Sequence, residues 1–229
     1  MRKWRFIDSG GAPGLVNMDL DRSLFEGFIP GVSDPVLRFY EWDPPAVSVG
    51  RFQEPGDVVD LDECRRQGVD VVKRITGGGA LFHGAGLTYS IVCSPGDAGE
   101  GGVREGYRRL TSFIISAYRK LGLEAGFAGD LFEINAARRS PVCSGSWERE
   151  DVIVRGMKIG GNAQRRSRGK VFQHGSVPVK PGPSEWARFF RAPADCSRSG
   201  WLGMFTDASP EKLKETLLES FSEDMGACF

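Results

Sequence analysis

The stretch Lys73-Arg74-Ile75-Thr76-Gly77-Gly78-Gly79-Ala80-Leu81-Phe82-His83 leads from an apolar approach through three consecutive glycines to one of only two histidines in 229 residues. Glycine tolerates φ > 0 and lacks the side chain that keeps a ligand off the main chain, so Gly77 to Gly79 can present amide N–H groups to an anion or a carbonyl oxygen. The second histidine has a similar setting: Lys158-Ile159-Gly160-Gly161-Asn162-Ala163-Gln164 is followed by Gln173-His174-Gly175. The two segments are expected to meet at one ligand site. Three glycines alone read equally as a tight turn between strands; Lys73-Arg74 before them and His83 after them favour the ligand reading. No Gly-Lys-Ser/Thr follows, and the pattern GxGxxG is absent, so neither a Walker A loop nor a dinucleotide fingerprint is present.

Working outward, Val69 to Ile75 reads as a strand entering the glycine loop and Gly86 to Ser94 as a return strand. Val16, Leu20, Leu24, Phe25 and Phe28 recur at helical spacing and predict a helix ending near Pro30-Gly31 with that apolar face buried. Val36 to Trp42 and Ala46 to Phe52 read as a hairpin turning at Asp43-Pro44-Pro45. Asp60 with Glu63 resembles a capping pair for a short helix ending at Gln67-Gly68. Tyr107, Leu110, Phe113, Ile114, Ala117 and Leu121 predict a long helix closed by Gly122. Gly129 to Glu150 has no period and reads as a loop. Three antiparallel strands are expected over 151–154, 157–164 and 171–179, with a turn at Arg155-Gly156 and a basic hairpin tip from Arg165 to Lys170. Ser209-Pro210 opens a last helix that buries Leu213, Leu217, Phe221 and Met225.

No linker or repeat divides the chain, which reads as one domain over residues 1–229. Thirty Lys and Arg balance thirty Asp and Glu, so no global field favours nucleic acid or an anionic membrane, and neither is expected as a partner. The start, Met1-Arg2-Lys3-Trp4-Arg5, turns polar too early for a signal peptide, and no apolar run is long enough to span a bilayer, which points to the cytoplasm. Five cysteines, Cys64, Cys93, Cys143, Cys196 and Cys228, contain no CxxC pair; neither a disulfide framework nor a metal site is expected.

Lys158 alternates with Ile159 along its strand. A lysine there is either solvated or aimed at a carbonyl, phosphate or thiolate. Cys143 follows Pro141-Val142 in the aperiodic stretch, where a thiol has little packing role. As a thiolate beside an ammonium it would be a nucleophile and an acyl carrier. Cys64 in a helix, Cys93 at a strand end and penultimate Cys228 need only packing. With no Gly-x-Ser-x-Gly elbow, a serine-hydrolase triad finds little support.

In order, Lys73 to His83, Leu87-Thr88-Tyr89-Ser90, Lys158 to Gln164 and Gln173-His174-Gly175 resemble the lipoate-protein ligase and octanoyltransferase family, the biotin/lipoate A/B protein ligase catalytic domain. The likeness runs from Trp4-Arg5-Phe6-Ile7-Asp8 to the final helix. It implies a mixed α+β fold, mainly antiparallel sheets with packed helices, and an acyl tunnel beneath the glycine loop. Its substrate-binding positions would be Arg74, Thr76, Gly77, Gly78, Gly79, His83 and Tyr89 in the first half. In the second they would be Gly160, Gly161, Asn162, Ala163, Gln164 and His174.

The cysteine-type octanoyltransferases carry a cysteine fifteen residues before the motif lysine, as Cys143 stands before Lys158. On that likeness Cys143 would take octanoate from acyl carrier protein with no cofactor. Lys158 would lower the thiol pKa. The acceptor would be a lysine of a lipoyl domain, such as the glycine cleavage H protein or a 2-oxo acid dehydrogenase E2. Gly79 departs from this pattern: those transferases commonly carry Arg there, whereas the triple glycine is usual in ATP-dependent lipoate ligases. A ligase would use ATP and Mg to make lipoyl-adenylate, with a separate accessory subunit. A non-catalytic acyl-binding protein is a third reading, and Lys158 and His83 speak against it.

Overall fold

The computed structural model describes residues 1–99, 101–133, 141–142, 147–180, 186–192 and 198–229. The first third holds β1 (Arg2–Lys3), β2 (Arg5–Ala12), α1 (Gly14–Gly27), β3 (Val36–Trp42), β4 (Ala46–Val49), α2 (Pro55–Val58), α3 (Leu61–Gln67) and β5 (Asp70–Lys73). Past the glycine loop come β6 (Leu81–His83), β7 (Gly86–Cys93), α4 (Val103–Lys120), β8 (Ala125–Phe127) and α5 (Ala128–Leu131). The last third holds β9 (Val152–Val154), β10 (Met157–Lys158), β11 (Gly161–Ser167), β12 (Lys170–Pro178), α6 (Pro210–Met225) and β13 (Ala227–Cys228).

A five-stranded sheet in the order β11-β12-β7-β3-β2 is antiparallel except for its parallel β2–β3 pair. Side chains alternate across it. Leu37, Phe39, Tyr89 and Ile91 face α4 and α6 in the largest apolar cluster, together with Phe113 and Phe221. Arg38, Tyr40 and Ser90 face α1, where Asp21 meets all three. A three-stranded sheet, β5-β4-β6, has β4 at its centre and sends Val47 and Val49 into a second cluster with Cys64 of α3 and Phe189. A third sheet, β10-β9-β8, is antiparallel. The mixed α+β architecture implied by the family resemblance is the one observed.

Three local expectations need correction. First, β3 and β4 form no hairpin. They belong to different sheets, and Asp43-Pro44-Pro45, with a cis Asp43–Pro44 bond, carries the chain between them. Second, α1 buries Asn17, Met18, Asp21 and Phe25 rather than a purely apolar stripe, and Val16 is 53% exposed. Third, the strand expected over 157–164 breaks at Ile159-Gly160 and serves two sheets. Both ends of α3 follow the sequence, with Asp60 accepting from the Asp62 and Glu63 amides and Gly68 in the left-handed region at φ 65°. The expected tight turn at Arg155-Gly156 has φ of 47° and 77°. Of the long aperiodic stretch, 134–140 and 143–146 lie outside the described residues. No described helix is long and apolar enough to cross a membrane.

Candidate functional site

Between the α1 face of the five-stranded sheet and the three-stranded sheet lies a cavity of about 430 Å³, part of it open to solvent. Tyr40 and Trp42 of β3, Thr88 of β7, His174 of β12, and Gly161 and Ala163 of β11 form one side. Ser48 of β4, Leu81 and His83 of β6, and Arg74, Gly78 and Gly79 of the loop form the other. The two glycine-rich segments do meet, as the sequence led us to expect.

The loop is held from inside by Arg74, whose guanidinium donates to the carbonyls of Ser48, Gly77 and Gly79 at 2.7–3.0 Å. The cation expected to greet a ligand is therefore largely occupied with shaping the glycine turn. Gly78 has φ 94°, a conformation that favours glycine. A Cβ on Gly50 would overlap the Gly78 carbonyl, so the loop also needs glycine at the end of β4. Among the described residues, the amides of Gly77, Gly78 and Gly79 donate to no backbone carbonyl.

Both histidines are buried, and burial is the first cause that pushes each pKa below the ordinary value; His83 lies well below it, with the Arg74 charge adding to the effect. Both imidazoles are neutral at pH 7. His83 stacks on Trp42 at 4.2 Å, and its Nε2 is 2.7 Å from Ser48 Oγ. His174 Nε2 lies 2.7 Å from Thr76 Oγ1. Beneath the cavity Asp21 accepts from Arg38 (2.8 Å), Tyr40 (2.9 Å) and Ser90 (2.7 Å). Burial raises the Asp21 pKa, but His174, Arg38 and Ser90 together hold it below the ordinary carboxylate value.

Lys158 is 6% exposed, and its Nζ pairs with Asp151 Oδ2 at 2.8 Å. Burial raises the Asp151 pKa and the lysine charge opposes the rise. Of the expected site residues, Asn162 lines the cavity, whereas Thr76, Gly77, Lys158 and Gly160 do not, nor do Tyr89 and Gln164: Tyr89 packs on Phe113 of α4 at 5.1 Å, and Gln164 bonds Gln173, which reaches Thr111 of α4. Gly160 links β10 to β11. Cys143 lies outside the described residues. Val142, just before it in the chain, bridges to Ala80 in parallel register, and Pro141 accepts from the Ala80 amide at 2.9 Å. No cluster of three metal-ligating side chains occurs among the described residues.

The model of the lipoyl protein ligase A/B catalytic domain matches residues 13–222. The chain belongs to this family. An octanoyltransferase LipM of Kyrpidia tusciae is 35% identical over 243 residues, spanning 99% of this chain and 89% of its own. Lipoate-protein ligase A, solved bound with ATP, superposes with a TM-score of 0.82 at 25% identity, over 100% of this chain and 87% of its own. A bipartite lipoate protein ligase from Thermoplasma acidophilum, studied with its E2 lipoyl domain, gives 0.81 at 25% identity, over 100% and 86%.

Within this family site, reading the sequence missed Asp21, Arg38, Ser48 and Asp151. Two of them left a signal. Asn17 and Asp21 stand four apart on a helix whose buried partner had to be polar, and Arg38 interrupts the apolar run Val36-Leu37-Arg38-Phe39-Tyr40. Ser48 stood only within Ser48-Val49-Gly50-Arg51-Phe52-Gln53, a stretch the family resemblance includes, with nothing to mark its role, and Asp151 left no signal.

Proposed function

We propose that this chain, acting as one catalytic domain, is an octanoyltransferase of protein lipoylation. The reading rests on the gathering of both glycine-rich segments around one cavity, in a chain 35% identical to an octanoyltransferase LipM over 99% of its length. The clasp of Pro141 and Val142 on Ala80 supports a role for the next residue, Cys143, beside the glycine loop. In the proposed reaction the Cys143 thiolate attacks the thioester carbonyl of octanoyl-acyl carrier protein. The tetrahedral oxyanion collapses, the carrier thiolate leaves, and octanoyl-Cys143 remains. A lysine amine of a lipoyl domain then attacks that carbonyl. The Cys143 thiolate departs with the proton the amine gives up, and an amide is formed. The Lys158 ammonium, buried beside Asp151, favours the thiolate, and the loop amides stabilise the oxyanion. Arg74, Thr76 and His174 hold the cavity wall, and no cofactor is consumed. The acceptors are lipoyl-domain proteins, and the protein works in the cytoplasm.

A second reading has a specific observation behind it. Gly79 keeps the triple glycine of the ATP-dependent ligases, and the ATP-bound ligase superposes over the whole chain. Such an enzyme would hold ATP and Mg, and Cys143 would be incidental. Intact mass after incubation with octanoyl-acyl carrier protein, without ATP, separates the two. We expect wild type to gain one octanoyl group and Cys143→Ala to gain none. No gain on wild type, with the donor intact, would remove the transferase reading in favour of the ligase.

A further inference from the structure

His83 carries an orphan. Its Nε2 meets Ser48, but its Nδ1 is buried without a hydrogen-bond partner among the described residues. The side chain is 7% exposed and lines the cavity. A buried polar atom left unpaired costs free energy unless a ligand completes it. Which kind of ligand atom fits depends on where the single proton of the neutral ring sits.

The neighbours decide that. Arg74 Nη1 lies 2.9 Å from Ser48 Oγ, and a guanidinium only donates. The hydroxyl therefore accepts from Arg74 and keeps its own hydrogen for His83 Nε2, 2.7 Å away. Nε2 is then the acceptor, so the ring proton resides on Nδ1. The opposite tautomer would make Ser48 accept twice, strand its hydrogen, and leave a bare lone pair buried at Nδ1.

We infer that Arg74 and Ser48 lock His83 as the Nδ1–H tautomer, so that a neutral imidazole donates a hydrogen bond to the carbonyl oxygen of the octanoyl group. His83 is the residue that touches substrate; Ser48 and Arg74 are positioning residues. The donor strengthens as negative charge develops on that oxygen, and the nearby Arg74 charge acts in the same direction. Burial and Arg74 keep the ring uncharged, so it holds the oxygen without becoming an acid. His174, the other titratable group whose charge His83 senses, is itself neutral. The inference rests on the acyl-group reading of the cavity, but its test requires no turnover.

With only two histidines, ¹⁵N-histidine NMR of the full chain resolves both rings. The probe is 2-nonanone, an octanoyl group with methyl in place of sulfur. We expect the resonance lost in His83→Gln to report a proton on Nδ1 at pH 7. That resonance should shift on adding the ketone, and in Ser48→Ala it should become a mixture of tautomers. The infrared C=O stretch of ¹³C-labelled ketone should lie lower on wild type than on His83→Gln. In the octanoyl-transfer assay, kcat should fall about 10²-fold in His83→Gln with KM little changed, and about 10-fold in Ser48→Ala. A proton on Nε2, or an Nδ1 signal unmoved by the ketone, would overturn the inference. If wild type transfers no octanoyl group yet the NMR result holds, only the transferase reading fails.

Discussion

On one face of the five-stranded sheet, Leu37 and Phe39 lie beneath α4 and α6 among aromatic rings; on the other, Arg38 and Tyr40 lie beneath α1 and bond Asp21. Adjacent residues of one strand thus enter two chemically opposite interiors. The apolar face is held by packing such as the Phe113–Phe221 contact at 5.1 Å and the Trp4–Phe221 contact at 4.9 Å. The polar face floors the cavity and is held by a buried ion pair whose hydrogen bonds must all be made at once. The first is weakened by a void, the second by an unpaired partner.

Truncation on either face should cost the same, and only one loss should be reversible in part. Phe221→Ala opens a cavity worth about 3–5 kcal/mol. Asp21→Ala leaves the Arg38 guanidinium buried and unpaired, also about 3–5 kcal/mol. Replacing the pair together, Asp21→Leu with Arg38→Met, should restore part of that loss, because two apolar side chains avoid the desolvation of both ions, while the buried Tyr40 and Ser90 hydroxyls, left without their shared acceptor, keep the rest. Urea unfolding of the three variants checks this. An Asp21→Ala loss below about 1 kcal/mol would show that solvent reaches the pair and end the contrast.

The polar side, with the cavity wall that faces it, should also differ from the apolar face in its response to acid. His83 has a folded pKa well below its unfolded value of about 6.5, so the unfolded chain binds a proton that the native protein refuses. Stability therefore falls as pH drops below about 6.5, by about 1.4 kcal/mol per pH unit from this residue. His174, shifted the same way, adds to the slope until its own folded pKa is passed. The Asp21 contribution is present above its unfolded pKa and is lost only at more acidic pH, as its lowered folded pKa is crossed. Unfolding free energies between pH 6.5 and 5.0 should show a shallower slope in His83→Gln than in wild type. Phe221→Ala, lower throughout, should keep the wild-type slope.

The apolar face was also the legible one. Leu213, Leu217, Phe221 and Met225 repeat at helical spacing and all four are buried, with the small Thr216 and Ser220 the only polar residues α6 buries beside them. The caps at Asp60 and Gly68 were readable because they are local. The helical period of Val16 to Phe28 located α1 but misjudged its face, since Asn17 and Asp21 are buried through partners distant in sequence. The supposed hairpin after Trp42 failed for a related reason: the prolines mark a reversal, and nothing local says that the next strand joins another sheet. At the site, the glycine motifs and both histidines stood out. Ser48 did not, because its meaning comes from Arg74 and His83, 26 and 35 residues away.

The smallest expected effect tests whether the apolar face needs its local signals at all. Ser209 Oγ accepts from the Lys212 amide at 3.2 Å and starts α6, with Pro210 at the first helical position. Ser209→Ala removes that cap, and helix N-caps of this kind are worth about 1 kcal/mol. The bond is exposed, so water satisfies the freed amide and no buried group is orphaned, unlike the loss at Asp21. The substitution should lower the unfolding free energy by about 1 kcal/mol and leave the Asp21–Arg38 pair and the octanoyl-transfer rate as in wild type. A change in transfer rate would mean that α6, packed on the far side of the sheet, is coupled through Phe39 and Leu37 to the polar floor of the cavity. The two faces would then be one cooperative unit, and their separation in chemistry would not be a separation in function.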